Sequence, residues 1–123
     1  MMKKVMIIDD DPANIIALKA VLTAKGWSAL SALSASSGID MLEQDDSVGI
    51  VLLDMSMPGT DGFETISIIR GHEKLSDLPL IAVTAHAMRG DREKCLAAGA
   101  NEYVAKPIDV NRLVELLHQY SIQ

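Results

Sequence analysis

Gly49-Ile50-Val51-Leu52-Leu53-Asp54 is an unbroken apolar run that stops on a carboxylate. A strand with one wet face alternates apolar and polar residues, whereas a continuous run suits a strand covered on both faces. Outward from it, the same kind of run recurs. Lys4-Val5-Met6-Ile7-Ile8 reads as a buried strand upstream, and residues 79–83 and 102–105 read as strands downstream. Residues 27–33 complete a set of five, although their Ser and Ala are poor strand formers.

Helical segments fill the gaps. Pro12 suits the first turn of a helix, with Asp11 as its N-cap, and Gly26 is a good stop. Ile15, Leu18 and Leu22 share one face of that helix. Further helices are predicted over 36–44, from Phe63 through Ile66 and Ile69 to Gly71, and over 88–98 up to Gly99. The last helix carries Val110, Leu113, Val114 and Leu117 at i, i+3, i+4 and i+7. Residues 55–62, with Pro58, Gly59 and Gly62, form a loop. Strands alternating with helices predict an α/β fold: one five-stranded parallel sheet with helices on both faces. In such folds the ligand site lies beyond the carboxyl ends of the strands.

The chain has 123 residues, which suits one domain over 1–123. Its 49% hydrophobic content excludes disorder of the whole chain, and its length allows a core without a disulfide or metal staple. The net charge of −6 argues against nucleic acid and against an anionic membrane surface. Cys95 is the one cysteine, so no internal disulfide forms, and a reducing compartment is expected. The apolar run over 5–8 is shorter than the roughly seven residues of a signal-peptide core. No stretch approaches the roughly 18 apolar residues of a membrane span. A soluble, cytoplasmic protein is the expectation. With little chain after the last helix, no output domain is expected to follow.

The predicted strand ends carry the chemistry. Asp9, Asp10 and Asp11 follow the first, Asp54 the third, Thr84 the fourth and Lys106 the fifth. Carboxylates that share a site repel, and one pKa climbs unless a cation is present. A hard divalent ion resolves this, and Mg²⁺ favours one or two carboxylates, waters and phosphate oxygens. Lys106 offers a compact positive charge and Thr84 a hydroxyl donor. An aspartate can act as the nucleophile in phosphoryl transfer. Asp11 is assigned to capping, and Asp61 and Gly62 to the loop end and helix cap. Cys95 reads as a small buried hydrophobe. His72, His86 and His118 match no metal spacing and read as surface residues.

Four motifs stand in this order: Val5-Met6-Ile7-Ile8-Asp9-Asp10-Asp11, Leu52-Leu53-Asp54-Met55-Ser56-Met57-Pro58-Gly59-Thr60-Asp61-Gly62, Val83-Thr84-Ala85 and Tyr103-Val104-Ala105-Lys106-Pro107. With them the chain resembles a response-regulator receiver domain, of the kind found in phosphorelays and in the stand-alone chemotaxis regulator. The segments Thr84-Ala85-His86-Ala87-Met88 and Cys95-Leu96-Ala97-Ala98-Gly99 look most like receivers attached to hybrid histidine kinases. The resemblance implies a flavodoxin-like (βα)5 fold with strand order 2-1-3-4-5. It also implies Asp54 as phosphoacceptor and a Mg²⁺ or Mn²⁺ site of Asp9, Asp10, Asp54 and the backbone carbonyl of Ser56. Thr84 and Lys106 would contact the phosphoryl group, and Thr84 and Tyr103 would form a switch. The bond before Pro107 is typically cis in the family. The implied partners are a histidine kinase or histidine phosphotransfer protein and an effector in trans, which reads the face formed by the fourth helix, fifth strand and fifth helix. Such a domain is no enzyme beyond its own phosphorylation and dephosphorylation.

The chain departs from the family pattern over 27–37, which is longer and richer in Ser and Ala than usual. Ser56 is often larger in relatives; it and His86 occupy positions that tune dephosphorylation. Other readings fare worse. An aspartyl phosphatase of the haloacid-dehalogenase type would carry a second Asp where Ser56 stands. A nucleotide-binding flavodoxin-like protein would need a Gly-rich loop after the first strand. A receiver-like module that binds partners without phosphorylation is the remaining alternative, and the complete acid set with Thr84 and Lys106 argues against it.

Overall fold

The computed structural model describes residues 3–85 and 87–120. Five strands, β1 (Lys4–Ile8), β2 (Ala29–Ala32), β3 (Val48–Asp54), β4 (Leu80–Thr84) and β5 (Glu102–Ala105), alternate with five helices. These are α1 (Pro12–Ala24), α2 (Ala35–Gln44), α3 (Gly62–Gly71), α4 (Asp91–Ala98) and α5 (Val110–Tyr120). The sheet is parallel with order β2-β1-β3-β4-β5.

Side-chain alternation along each strand builds two cores. Val5, Ile7, Ile50 and Leu52 point to the side covered by α1 and α5, where they meet Leu18, Leu22 and Leu113. Met6, Ile8, Val51 and Leu53 point to the other side and meet Leu42, Ile66 and Ile69 from α2 and α3. All seven residues of β3 are buried, as its continuous apolar run requires. Gly38 lets α2 press onto β1: a Cβ there would stand 2.6 Å from Ile8 Cδ1.

The local signals hold at most ends. Asp11 Oδ1 accepts from the N–H groups of Ala13 and Asn14, and Asp61 caps α3 through Phe63 and Glu64. Cys95 is buried. The Lys106–Pro107 bond is cis.

Three elements differ from expectation. β2 is shorter than 27–33, because Trp27 N–H bonds back to Leu22 O and its ring enters the α1–α5 core. α4 starts at Asp91 rather than at 88, because Gly90 takes φ +88° and breaks the helical path. In α5 the buried stripe is Leu113, Leu116 and Leu117, and Val114 is half-buried. Two stripes of helical period overlap in this sequence, and the one with three leucines faces the sheet.

One tie joins α3 to the distant loops. Arg70 Nε donates to Gly99 O at 2.9 Å, Nη1 to Ser76 O at 3.1 Å and Leu78 O at 2.7 Å, and Nη2 to Asn101 Oδ1 at 2.9 Å. Asn101 Oδ1 also accepts from Leu80 N–H at 2.9 Å. His72 is half-buried and sits 3.5 Å from Glu43, while His118 is exposed with its ring edge-on to Trp27. His86, assigned to the surface and to a tuning position, lies outside the described residues.

Candidate functional site

The carboxyl ends of β1, β3, β4 and β5 converge. Asp9 ends the run of β1 and is 3% exposed; Asp54 is the last residue of β3 and is 5% exposed. Asp10 follows Asp9 and is exposed. One carboxylate oxygen from each of the three lies within 4.8 Å of the others. Lys106, just past β5, puts its Nζ 3.3 Å from Asp54 Oδ2 and 3.4 Å from Asp9 Oδ2. The parallel register makes this possible, since it aligns the C-terminal ends of all the strands on one edge.

Each buried acid is held by local donors. Asp9 Oδ1 accepts from Asp11 N–H at 2.9 Å, and its Oδ2 accepts from the Asn14 amide at 2.5 Å. Asp54 Oδ1 accepts from Ser56 N–H at 2.8 Å. The two acids titrate in opposite directions. Burial pushes Asp54 above the ordinary carboxylate range, and the Asp9 charge adds to this against Ser56 N–H and Lys106. Burial also pushes Asp9 upward, but Asp11 N–H, the Asn14 amide and the Lys106 charge outweigh it and hold Asp9 below that range. Burial opposes the charge on Lys106, yet Asp54 and Asp9 together raise its pKa.

A single ammonium cannot offset three carboxylates. An all-oxygen donor set with excess negative charge, partly open at Asp10, fits a hard divalent cation such as Mg²⁺. Asp9, Asp10 and Asp54 are the side chains that could hold it.

The other expected residues lie beside this cluster. Thr84 ends β4 and is buried, and its Oγ1 is 3.2 Å from Ser56 Oγ. Ser56 Oγ also accepts from Ala85 N–H at 2.9 Å. Tyr103 shares a cavity of about 190 Å³ with Thr84, Ser56, Met55, Phe63 and Cys95. Its buried hydroxyl has no hydrogen-bond partner among the described residues.

Sequence reasoning missed one participant, Asn14, and one contact of Ser56, which it places in the metal site through its carbonyl and at a tuning position, but whose hydroxyl also bridges to the end of β4. Asn14 was not singled out, although it lies on the first turn of α1, where a side chain can reach back to the strand end. Partners that orient a metal ligand are worth about ten- to a hundredfold in metal affinity. Asn14→Ala is expected to weaken Mg²⁺ binding about tenfold by titration calorimetry; an unchanged affinity would show that Asp9 keeps its orientation without the amide.

Comparison with known proteins agrees with this geometry. The family model described as response regulator receiver domain matches residues 5–118. The polar-differentiation response regulator DivK of Brucella ovis is 32% identical over 120 residues, covering 98% of this chain and 97% of that protein. A response regulator receiver protein from Pseudomonas putida superposes with TM-score 0.89 at 25% identity, covering 97% of this chain and 98% of that one. The receiver domain of a sensor histidine kinase from Pseudomonas aeruginosa, solved with magnesium coordinated in its active-site cleft, is 30% identical. It has TM-score 0.85 and 98% coverage of both chains.

Proposed function

Because the chain belongs to the response regulator receiver family, we propose that it takes a phosphoryl group from a phosphohistidine onto Asp54. The observation that carries this reading is the buried Asp54 carboxylate, with the Lys106 ammonium at 3.3 Å and two more carboxylates within 4.8 Å.

In this reading a carboxylate oxygen of Asp54 attacks phosphorus, and the phosphorus–nitrogen bond to the donor imidazole breaks. The imidazole leaves with the bond's electron pair and takes up a proton. Lys106 balances charge on the phosphoryl oxygens. Asp9 and Asp10, with Asp54 and the Ser56 carbonyl, would hold Mg²⁺, which supplies charge neutralisation during transfer. The product adds about −1.5 to −2 of charge beside Thr84. Thr84 moves toward it, Tyr103 follows into the cavity the two share, and the face of α4, β5 and α5 changes shape. A histidine kinase or phosphotransfer protein would be the donor, and an effector in trans would read the face by population shift. The whole chain, 1–123, would act as one cytoplasmic receiver, with no catalysis beyond its own phosphorylation and dephosphorylation. Among the described residues no helix is long and apolar enough to cross a membrane.

The test is to add a small-molecule phosphodonor with and without Mg²⁺ and weigh the intact protein beside Asp54→Asn. One added phosphoryl group is expected, dependent on Mg²⁺ and absent in the variant. A folded protein that gains none at any Mg²⁺ concentration would overturn the reading in favour of a phosphorylation-independent binding module.

A further inference from the structure

Lys106 Nζ stands almost midway between the two buried acids, 3.3 Å from Asp54 Oδ2 and 3.4 Å from Asp9 Oδ2. Both separations exceed the roughly 2.7 to 2.9 Å of an ammonium–carboxylate hydrogen bond, so the ammonium is committed to neither acid. The two oxygens are not equally served. Asp9 Oδ2 also accepts from the Asn14 amide at 2.5 Å, whereas among the described residues no donor besides Lys106 reaches Asp54 Oδ2. Asn14 is the third residue of α1, and its backbone N–H is spent on Asp11 Oδ1 at 3.4 Å. Its side chain reaches back over the end of β1. There it lines a small cavity together with Asp9, Asp54 and Ile108, and a surface groove together with Lys106 and Pro107. The amide therefore stands where the acids and the ammonium meet.

We propose that Asn14 is a positioning residue for Lys106: its amide occupies the Asp9 oxygen that would otherwise draw the ammonium into a close ion pair, and so leaves Lys106 poised at Asp54 Oδ2. The proposal rests on the reading of Asp54 as acceptor. A buried carboxylate oxygen that loses its donor is costly to leave unpaired, so it recruits another. The nearest is the Lys106 ammonium, which carries three protons on a flexible stem. Closing on Asp9 takes it off Asp54, where it balances charge as the new phosphorus–oxygen bond forms. A neutral amide suits this post better than a second cation would. It satisfies the Asp9 oxygen and leaves the net charge of the cluster unchanged, so the attraction for a divalent cation is kept. This role is separate from orienting Asp9 as a metal ligand. One acts on metal affinity, the other on the limiting rate of transfer.

The experiment compares wild type with Asn14→Leu, which keeps the side-chain size without the donor, and with Asn14→Ala. Both replacements favour a helix, so α1 still forms. Crystal structures grown with a chelator read the lysine directly. In both variants Lys106 Nζ should close to within about 2.9 Å of Asp9 Oδ2 and stand farther from Asp54 Oδ2 than in wild type. A small-molecule phosphodonor then gives the transfer rate as a function of Mg²⁺ concentration. At saturating Mg²⁺ the limiting rate should fall about tenfold, the worth of one charge-assisted hydrogen bond. In a Lys106→Ala background, slow in itself, adding Asn14→Leu should lower the limiting rate no further. Three results would each overturn the proposal: a lysine that keeps its place between the acids, a raised Mg²⁺ requirement with the limiting rate unchanged, or an equal loss with and without Lys106. Wild type that gains no phosphoryl group at any Mg²⁺ concentration would instead break the reading of Asp54. The chelator structures would still decide whether Asn14 places the lysine.

Discussion

Arg70→Ala is expected to destabilise the fold by about 3 kcal/mol and to lower its unfolding temperature by about 10 °C. The guanidinium makes four hydrogen bonds, to the carbonyls of Gly99, Ser76 and Leu78 and to Asn101 Oδ1, all between 2.7 and 3.1 Å. Hydrogen bonds to a charged donor are worth about 1.5 to 3 kcal/mol each, but those on one group are not additive. Truncation would leave three carbonyls and a side-chain oxygen without this donor, in segments that close the α3–β4 and α4–β5 connections. Arg70→Lys should rescue little, because an ammonium cannot reproduce the planar fork. Gly99→Ala should act in the same direction from the other side. Gly99 has φ +123°, and an added Cβ would stand 2.9 Å from Arg70 Cγ. Urea denaturation of the three variants checks this. An Arg70→Ala loss below about 1 kcal/mol would mean that water replaces the guanidinium at all four acceptors.

Such a hub is invisible in the sequence because its acceptors are almost all backbone carbonyls, which have no residue signature. The fold was legible for the opposite reason. Continuous apolar runs at β1, β3 and β4 carry their own two-sided burial, and Asp11, Asp61 and Gly99 are helix caps, two at starts and one at an end, whose physics needs no tertiary context. β2 was overextended because Trp27 is a good strand former in isolation; burial in the α1–α5 core overrides that preference. The acids, Thr84 and Lys106 could be found at the strand ends because parallel topology brings those ends together. The tilt of individual side chains could not. Ser56 reaching Ala85, and Asn14 reaching Asp9, depend on loop and first-turn geometry that spacing alone does not fix.

Asp54→Asn is expected to unfold at a higher temperature than wild type at neutral pH in the presence of a chelator. The reason is the unequal treatment of the two buried acids. Asp54 has its pKa raised, by burial first and then by the charge of Asp9. A folded state that binds a proton more tightly than the unfolded chain loses stability when that proton is absent. Ionised Asp54 therefore costs stability at neutral pH, and the cost is relieved as pH falls through its raised folded value toward the ordinary carboxylate range. Asp9 runs the other way. Its lowered pKa contributes stability above the ordinary carboxylate range, which is lost as pH falls through its folded value. Asparagine keeps the carbonyl oxygen that can accept from Ser56 N–H, removes one of the repelling charges and leaves Asp9 with Lys106. The advantage of Asp54→Asn over wild type should accordingly shrink on mild acidification. Mg²⁺ should reverse the order of the two proteins. Wild type gains a compensating charge at three carboxylates, whereas the variant offers one ligand fewer. Because the ion competes with the proton on Asp54, wild-type Mg²⁺ affinity should begin to fall at a pH above the ordinary carboxylate range, by up to about tenfold per pH unit. Thermal unfolding with chelator or Mg²⁺ across a pH series, together with Mg²⁺ titration calorimetry, reads all of these signs. A variant less stable than wild type without metal would mean that the Lys106 contact to Asp54 outweighs burial and the repulsion from Asp9, and that the acidic cluster is not held under electrostatic strain.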